Sequence, residues 1–443
     1  MGAHESRRGS DLTHVGEVPS TWLRIAGGSA LLLLGPWILI GRQAGVSPTR
    51  SIYSEDGAIF LQGALDEGVG SVTTPYAGYL HAAPRLIALG VARFDLDWVA
   101  VMLVAAAGVV VCLSAWSVYL MSGDHLRSRA IRVALALTVI LLPVAHGEVY
   151  NNIANLHWFL LYLAFWILLW EPQRWLEAVS ASTVVFIAAL SSPFAFLYAP
   201  IAAYRFRAST PRVLLVLSAY TVGVIVQLLV SLDPSVPRQT VGDDVPVEVD
   251  LFFDPVLFVH HYLFHVIGRG TLGSWVAGAE RGPAGYVSVT VAVMLMAVLI
   301  VAWRLRSRRS NECLVIVAAI ASVVLLAVPW SLSSGMIPPR YLVAPVLLYY
   351  VAASAMIDDL VSSSADAWQR GRRRVFMGGV LLLAVFVATT NYRVWSESSA
   401  EGDWPEQVQI ARRACLADDV ESASLPIFPA KLSLSVDVAC ESI

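Results

Sequence analysis

Charge is what this chain has least of. Only 14% of its 443 residues are Asp, Glu, Lys or Arg, where a soluble domain carries roughly a quarter. With 57% hydrophobic residues and a mean hydropathy of +0.66, an ordinary water-soluble domain is excluded. Lysine is almost missing: Lys431 stands alone, and arginine supplies the remaining positive charge. A net charge of −3 and a pI near 6.3 give no basic surface for nucleic acid. The four cysteines contain no Cys-x-x-Cys pair, which removes a thiol redox motif or a zinc ribbon. No phosphate loop is present and no dinucleotide-binding fingerprint is read, so nucleotide-driven transport lacks a motor.

What the chain does have is apolar length. Runs of roughly 17 to 25 residues recur, each long enough for a helix to cross a bilayer, without the ten-residue alternation of a β-barrel. They predict an all-α polytopic membrane protein with about 11 transmembrane helices. These fall at about 22–41, 97–121, 131–149, 156–170, 175–191, 193–206, 211–231, 284–303, 313–331, 341–357 and 375–391. Arginines in short loops mark the cytoplasmic face. Arg127, Arg129, Arg132, Arg174, Arg205, Arg207, Arg212, Arg304, Arg306, Arg308 and Arg309, and the group Arg370 to Arg374, all fall on one side. Arg7 and Arg8 join them only with a cytoplasmic N-terminus and an odd number of spans. The first run reads as an uncleaved anchor, because it is long, follows about twenty polar residues and lacks an A-x-A site.

The expected organisation is a cytoplasmic segment 1–21, a transmembrane domain 22–391 and an extracytoplasmic tail 392–443. Long extracytoplasmic loops are read at 42–96 and 232–283. Apolar stretches at 58–61, 86–89 and 251–267 are too short to span and read as helices in the interface. Cys112 and Cys313 fall in membrane helices as packing residues. Cys415 and Cys440 share the tail, where an oxidising compartment favours a bridge between them.

Against so apolar a background, polar clusters stand out. Ser54-Glu55-Asp56-Gly57 follows the first span. A carboxylate there can deprotonate an attacking hydroxyl or hold a divalent cation; it can also simply cap the next helix. His81 and Arg85 lie four apart in Pro75–Arg85, where the arginine can grip phosphate or pair with an acid. His146, Glu148, Asn151, Asn152, Asn155 and His157 crowd the loop between the third and fourth spans. Arg340, stiffened by Pro338 and Pro339 and followed by Tyr341, breaks the charge rule by lying on the extracytoplasmic face. Its planar fork suits phosphate; an ordinary snorkelling arginine is the alternative. His260, His261 and His265 lack the Glu of a zinc hydrolase motif and read as interfacial histidines.

This arrangement resembles the GT-C superfamily of integral membrane glycosyltransferases. Those enzymes carry an acidic residue after helix one, many a second acidic motif between helices three and four, and a later arginine that binds lipid phosphate; Asp56 with Glu55, Glu148 and Arg340 occupy these places. The chain is similar in layout to bacterial relatives of protein mannosyltransferases and aminoarabinose transferases. The resemblance implies a multi-pass protein of the bacterial plasma membrane that transfers a sugar, with inversion, from a polyprenyl-phosphate donor onto a glycan, lipid or protein acceptor. It implies Asp56 as base, Glu55 or Glu148 orienting the hydroxyl, and Arg340 with Arg85 on the phosphate. His81, His146, Asn151 and Tyr341 are further substrate contacts, and Asp56 with Glu148 are the ligands for a divalent cation, Mg or Mn. Asp56→Asn is then expected to abolish transfer at unchanged stability. The rival readings are a flippase or exporter of lipid-linked glycans, and a surface-polysaccharide polymerase or ligase using the 232–283 loop.

Overall fold

The computed structural model describes residues 21–145, 148–207, 210–236, 238, 252–273, 282–306, 309–333, 335, 337–362, 367–393, 403–417, 420–428 and 433–442. Its helices run in order: α1 Thr21–Arg42, α2 Gln62–Glu67, α3 Ala82–Val91, α4 Leu96–Met121, α5 Arg129–Ile140, α6 Leu156–Leu169, α7 Trp175–Ala189 and α8 Ala199–Phe206. There follow α9 Pro211–Leu232, α10 Pro255–His261, α11 Arg269–Leu272, α12 Pro283–Arg304, α13 Glu312–Leu332, α14 Val343–Val361, α15 Ala367–Thr390 and α16 Trp404–Ala417. Among the described residues, five helical segments are long and apolar enough to cross a membrane: Leu96–Asp124, Pro211–Leu232, Pro283–Arg304, Glu312–Leu332 and Pro339–Val361. The protein is thus nearly all helical, with the helices of a membrane protein.

Two departures from the expected layout have clear causes. The third expected helix, 131–149, stops at Ile140; its apolar run continues through Leu141 and Leu142 to Pro143, and the residue before a proline is pushed out of the helical region. The tail is not purely helical. After α16, strands β1 (Ser422–Pro426) and β2 (Ser435–Ala439) pair antiparallel, and Cys415 is bonded to Cys440. The two long loops carry short helices where apolar stretches are read: a π-helical turn Asp56–Leu61, then α3, and α10 continuing into a second π-helical turn, Tyr262–Gly268.

Packing follows the side chains available. Every residue of α6 from Leu156 to Leu168 is buried, as expected for a helix apolar all round. Small residues bring α1 onto α4: a Cβ at Gly35 would collide with Cys112 Sγ, and one at Gly28 would lie 2.8 Å from the Trp116 ring. This close approach lets dispersion hold two apolar helices together in lipid, where burial against water contributes little.

Charged residues fasten the two ends. At one end Arg42, 1% exposed, donates to the carbonyls of Ile140, Leu142 (2.9 Å) and Asn391 (3.3 Å). It thereby satisfies carbonyls that α5 leaves open where it stops. At the other end Asp358 accepts from Arg127 N–H (3.0 Å) and Ser128 N–H (2.8 Å), and Asp359 from Trp303 Nε1 (2.9 Å) and Ser310 Oγ (2.7 Å). These two buried carboxylates join the starts of α5 and α13 to the ends of α12 and α14. Arg306 donates to Leu360 O nearby (3.1 Å), so loops read as cytoplasmic from their arginines meet at one end of the bundle.

Candidate functional site

The Ser54–Gly57 acids are held at the opposite end, where the first loop is tied to the bundle at several points. Gln227 of α9 exchanges two hydrogen bonds with the Leu80 backbone, and Ala83 N–H donates to Ser191 Oγ (2.9 Å). The buried Leu39 of α1 accepts at its carbonyl from Asn151 Nδ2 (3.1 Å).

Asp56 opens the π-helical turn and is 2% exposed. Its two oxygens accept from the backbone N–H groups of Ile153 (2.8 Å) and Ala154 (2.9 Å). Burial pushes its carboxyl up to about 8, and the Glu55 charge adds to this, against the downward pull of the two N–H donors. The loop hung on Asp56 is braced from within. Asn152 and Asn155 donate to Glu148 O, and Asn155 N–H donates to Asn152 Oδ1 (2.9 Å). Asn151 sits at φ +64°, a left-handed conformation that asparagine tolerates.

The same loop presents Glu148. Its carboxylate is ion-paired with Arg340 and accepts from the Tyr53 hydroxyl, while Tyr53 O accepts from Asp56 N–H (2.8 Å). The pair is only partly covered, with the Arg340 side chain 35% and the Glu148 side chain 19% exposed. Burial and the Glu148 carboxylate beside it push the Tyr53 hydroxyl well above its usual range. Glu55 is half-buried, and its charge acts on Tyr53, Asp56, Tyr79 and Arg340. Asp56, Glu148 and Arg340, remote from one another along the chain, therefore meet within one bonded cluster. A shallow cleft with only about 10 Å³ of free space, bounded by Tyr53, Glu148, Tyr150 and Asn152 among others, opens on it.

An aromatic wall borders the cluster. Arg340 lies 5.8 Å from the Tyr341 ring, which packs 5.2 Å from Trp158. Tyr79 stacks on His81 at 4.0 Å, and His81 lies 6.4 Å from His157. Burial holds His81 well below the usual histidine range, so its ring is neutral; Nδ1 lies 3.2 Å from Tyr79 O.

The expected site is therefore partly assembled and partly redistributed. Asp56, Glu55, Glu148, Arg340 and Tyr341 come together, with His81 in the wall and Asn151 in the supporting loop. Arg85 does not join them. It lies behind Phe60, 5.6 Å from that ring, in a notch at Gly63 where a Cβ would stand 2.9 Å from Nη1. His146 lies outside the described residues. Of the two carboxylates expected to hold a cation, Asp56 accepts from two backbone N–H groups and Glu148 is paired with an arginine and a tyrosine. Among the described residues no group of three or more His, Cys, Asp or Glu is placed to hold a metal ion. Above about pH 8, where Asp56 is ionised, Asp56→Asn is not expected to leave stability unchanged, since the amide sets a donor against one of two N–H donors.

Sequence reasoning missed Tyr53, whose signal is only its place beside the acids. It also missed the spacing Gly268-Arg269-Gly270-Thr271-Leu272-Gly273, which matches the dinucleotide fingerprint letter for letter. There a π-helical turn runs into α11 with no strand before it, so the context that gives the motif its phosphate cradle is absent. An apolar groove of about 360 Å³, lined mainly by residues of α12, α13 and α14, lies away from the acids. Comparison with protein-family models, curated proteins and solved structures finds no match to this chain.

Proposed function

We propose that the chain is a membrane glycosyltransferase of the GT-C kind, moving a sugar from a polyprenyl-phosphate donor to a glycan, lipid or protein acceptor. In this reading the eleven helical runs span the plasma membrane of a bacterium, with the N-terminus inside and the acidic cluster outside. The observation that carries the reading is the Arg340–Glu148 pair, partly exposed and bonded through Tyr53 to the turn that bears Glu55 and Asp56. An arginine paired with a carboxylate at headgroup depth is ready to exchange that carboxylate for phosphate.

In the proposed reaction the donor phosphate takes the place of Glu148 on the Arg340 fork. The acceptor hydroxyl oxygen attacks the anomeric carbon as the bond from that carbon to the phosphate oxygen breaks. Glu55 takes the hydroxyl proton, and the released Glu148, steadied by Tyr53, orients the hydroxyl. Arg340 neutralises the charge that grows on the leaving polyprenyl phosphate. Asp56 serves from behind, holding the 148–155 loop in place. The half-buried rings of Tyr79 and Tyr341 supply a face on which a sugar can stack.

The test is reconstitution into nanodiscs with two sets of donors, polyprenyl-phosphate monosaccharides and polyprenyl-pyrophosphate oligosaccharides. A new glycosidic bond from the monophosphate donors is expected, unchanged by EDTA. Bond formation from pyrophosphate donors alone, or lipid translocation in liposomes with no bond formed, would overturn the reading.

A further inference from the structure

The C-terminal lobe, α16 with the β1–β2 hairpin, grips the segment that carries the acids. Phe428 N–H donates to Ile52 O (3.0 Å), and Ser54 N–H donates back to Phe428 O (2.5 Å). These two bonds straddle Tyr53, the residue whose hydroxyl reaches Glu148. Ser54 itself sits at φ +23°, a conformation that a residue with a Cβ holds only when its surroundings impose it. Immediately after Asp56, a Cβ at Gly57 would stand 2.6 Å from Ile427 Cδ1, 3.0 Å from Ile52 Cγ2 of its own segment and 3.2 Å from Val436 Cγ2. Just past the turn, at the start of α2, Asp437 N–H donates to Gln62 Oε1 (2.7 Å) and Gln62 Nε2 to Asp437 O (3.2 Å).

The lobe is in turn anchored away from the acids. Trp404 Nε1 donates to Leu96 O (2.6 Å), and Arg412 binds Asp95 (3.1 Å) and Asp97 (2.8 Å) at the start of α4. The Cys415–Cys440 bond closes α16 onto the end of the hairpin. The Asp56–Leu61 turn thus lies between the hairpin on one side and the Ile153–Ala154 amides on the other. π-Helical turns are rare and often mark a functional position, and the place of this one depends on what presses on it.

We infer that the C-terminal lobe is an intramolecular clamp that sets the position of Tyr53 and Asp56, with Ile427 and Phe428 as positioning residues. Resting on the proposed function, the clamp governs transfer by fixing where Glu55 and Glu148 stand relative to Arg340, while contributing no group that touches substrate.

Gly57→Ala tests this, because its added methyl comes closest to Ile427 Cδ1 of the lobe, ahead of Ile52 and Val436. Hydrogen exchange followed by mass spectrometry is expected to quicken tenfold or more over 52–57 and 153–154, with α7 and α9 as slow as in the wild type. In the transfer assay kcat is expected to fall at least tenfold with the donor KM within twofold. Adding Ile427→Ala makes room for the methyl and restores both quantities. The double variant Cys415→Ser, Cys440→Ser, which loosens the lobe without touching the acids, is expected to quicken 52–57 as well. Quickening confined to 403–442, or no recovery on adding Ile427→Ala, overturns the clamp. Exchange needs no substrate: coupled exchange in a protein that transfers no sugar would retain the clamp and reject the glycosyltransferase.

Discussion

Asp56→Asn separates a structural carboxylate from a chemical one. In the wild type both oxygens of Asp56 accept a backbone N–H, from Ile153 and Ala154. The amide keeps one acceptor and turns a donor toward the other N–H. A buried hydrogen bond to a charged group contributes about 1.5–3 kcal/mol, and an N–H stranded without an acceptor costs a similar amount. Local opening of the 148–155 loop should therefore become easier by about 1.5–3 kcal/mol, or roughly 10- to 150-fold in exchange rate when opening is fast and reversible. Hydrogen exchange at pH 9, where Asp56 is largely ionised, resolves this in peptides covering 148–156, with α7 as the internal reference. Unchanged exchange at Ile153 and Ala154 would show that Asp56 does not hold the loop, and would return it to the candidates for general base.

Other expectations follow from the same bonds. Because burial raises the Asp56 carboxyl to about 8, well above the usual range near 4, the folded protein keeps a proton that the unfolded chain gives up. Stability should fall as pH rises from about 4 to 8 and then level off, and Asp56→Asn should lose this part of the slope; Tm in detergent at pH 5, 7 and 9 for both proteins is the check, and parallel curves would contradict it. Arg42→Leu strands the carbonyls of Ile140, Leu142 and Asn391 and should lower stability by about 3 kcal/mol, read as the SDS unfolding midpoint. Tyr220 donates to Ala195 O (2.7 Å), whereas the buried Tyr198 hydroxyl finds no hydrogen-bond partner among the described residues. Tyr220→Phe should therefore lose about 1 kcal/mol and Tyr198→Phe none, by the same titration.

How much of this is visible in the sequence depends on the distance over which each feature acts. The long helices are legible because an apolar run of bilayer length has few other fates, and their ends are hardest to place where apolar residues run past the helix, as at Leu141–Pro143. Glu55, Asp56, Glu148 and Arg340 are conspicuous because charge is rare here. What they bind is not legible. Asp56 reads as a base because composition cannot show that two amides 97 and 98 residues away are aimed at it. Arg42, Asp358 and Asp359 escape notice for the same reason, since most of their partners are backbone groups at distant helix ends. The hairpin is hidden because Ser422–Pro426 and Ser435–Ala439 are five residues each, too short for alternation to stand out from a polar tail.

The most direct test of the central claim is binding of farnesyl phosphate to the purified protein, titrated calorimetrically in detergent. Wild type should bind, Arg340→Gln should weaken binding at least tenfold, and Glu148→Gln should tighten it by removing the carboxylate that competes for the arginine. Equal affinity in the wild type and both variants would mean that the phosphate is held elsewhere, and that the Arg340–Glu148 pair only braces the fold.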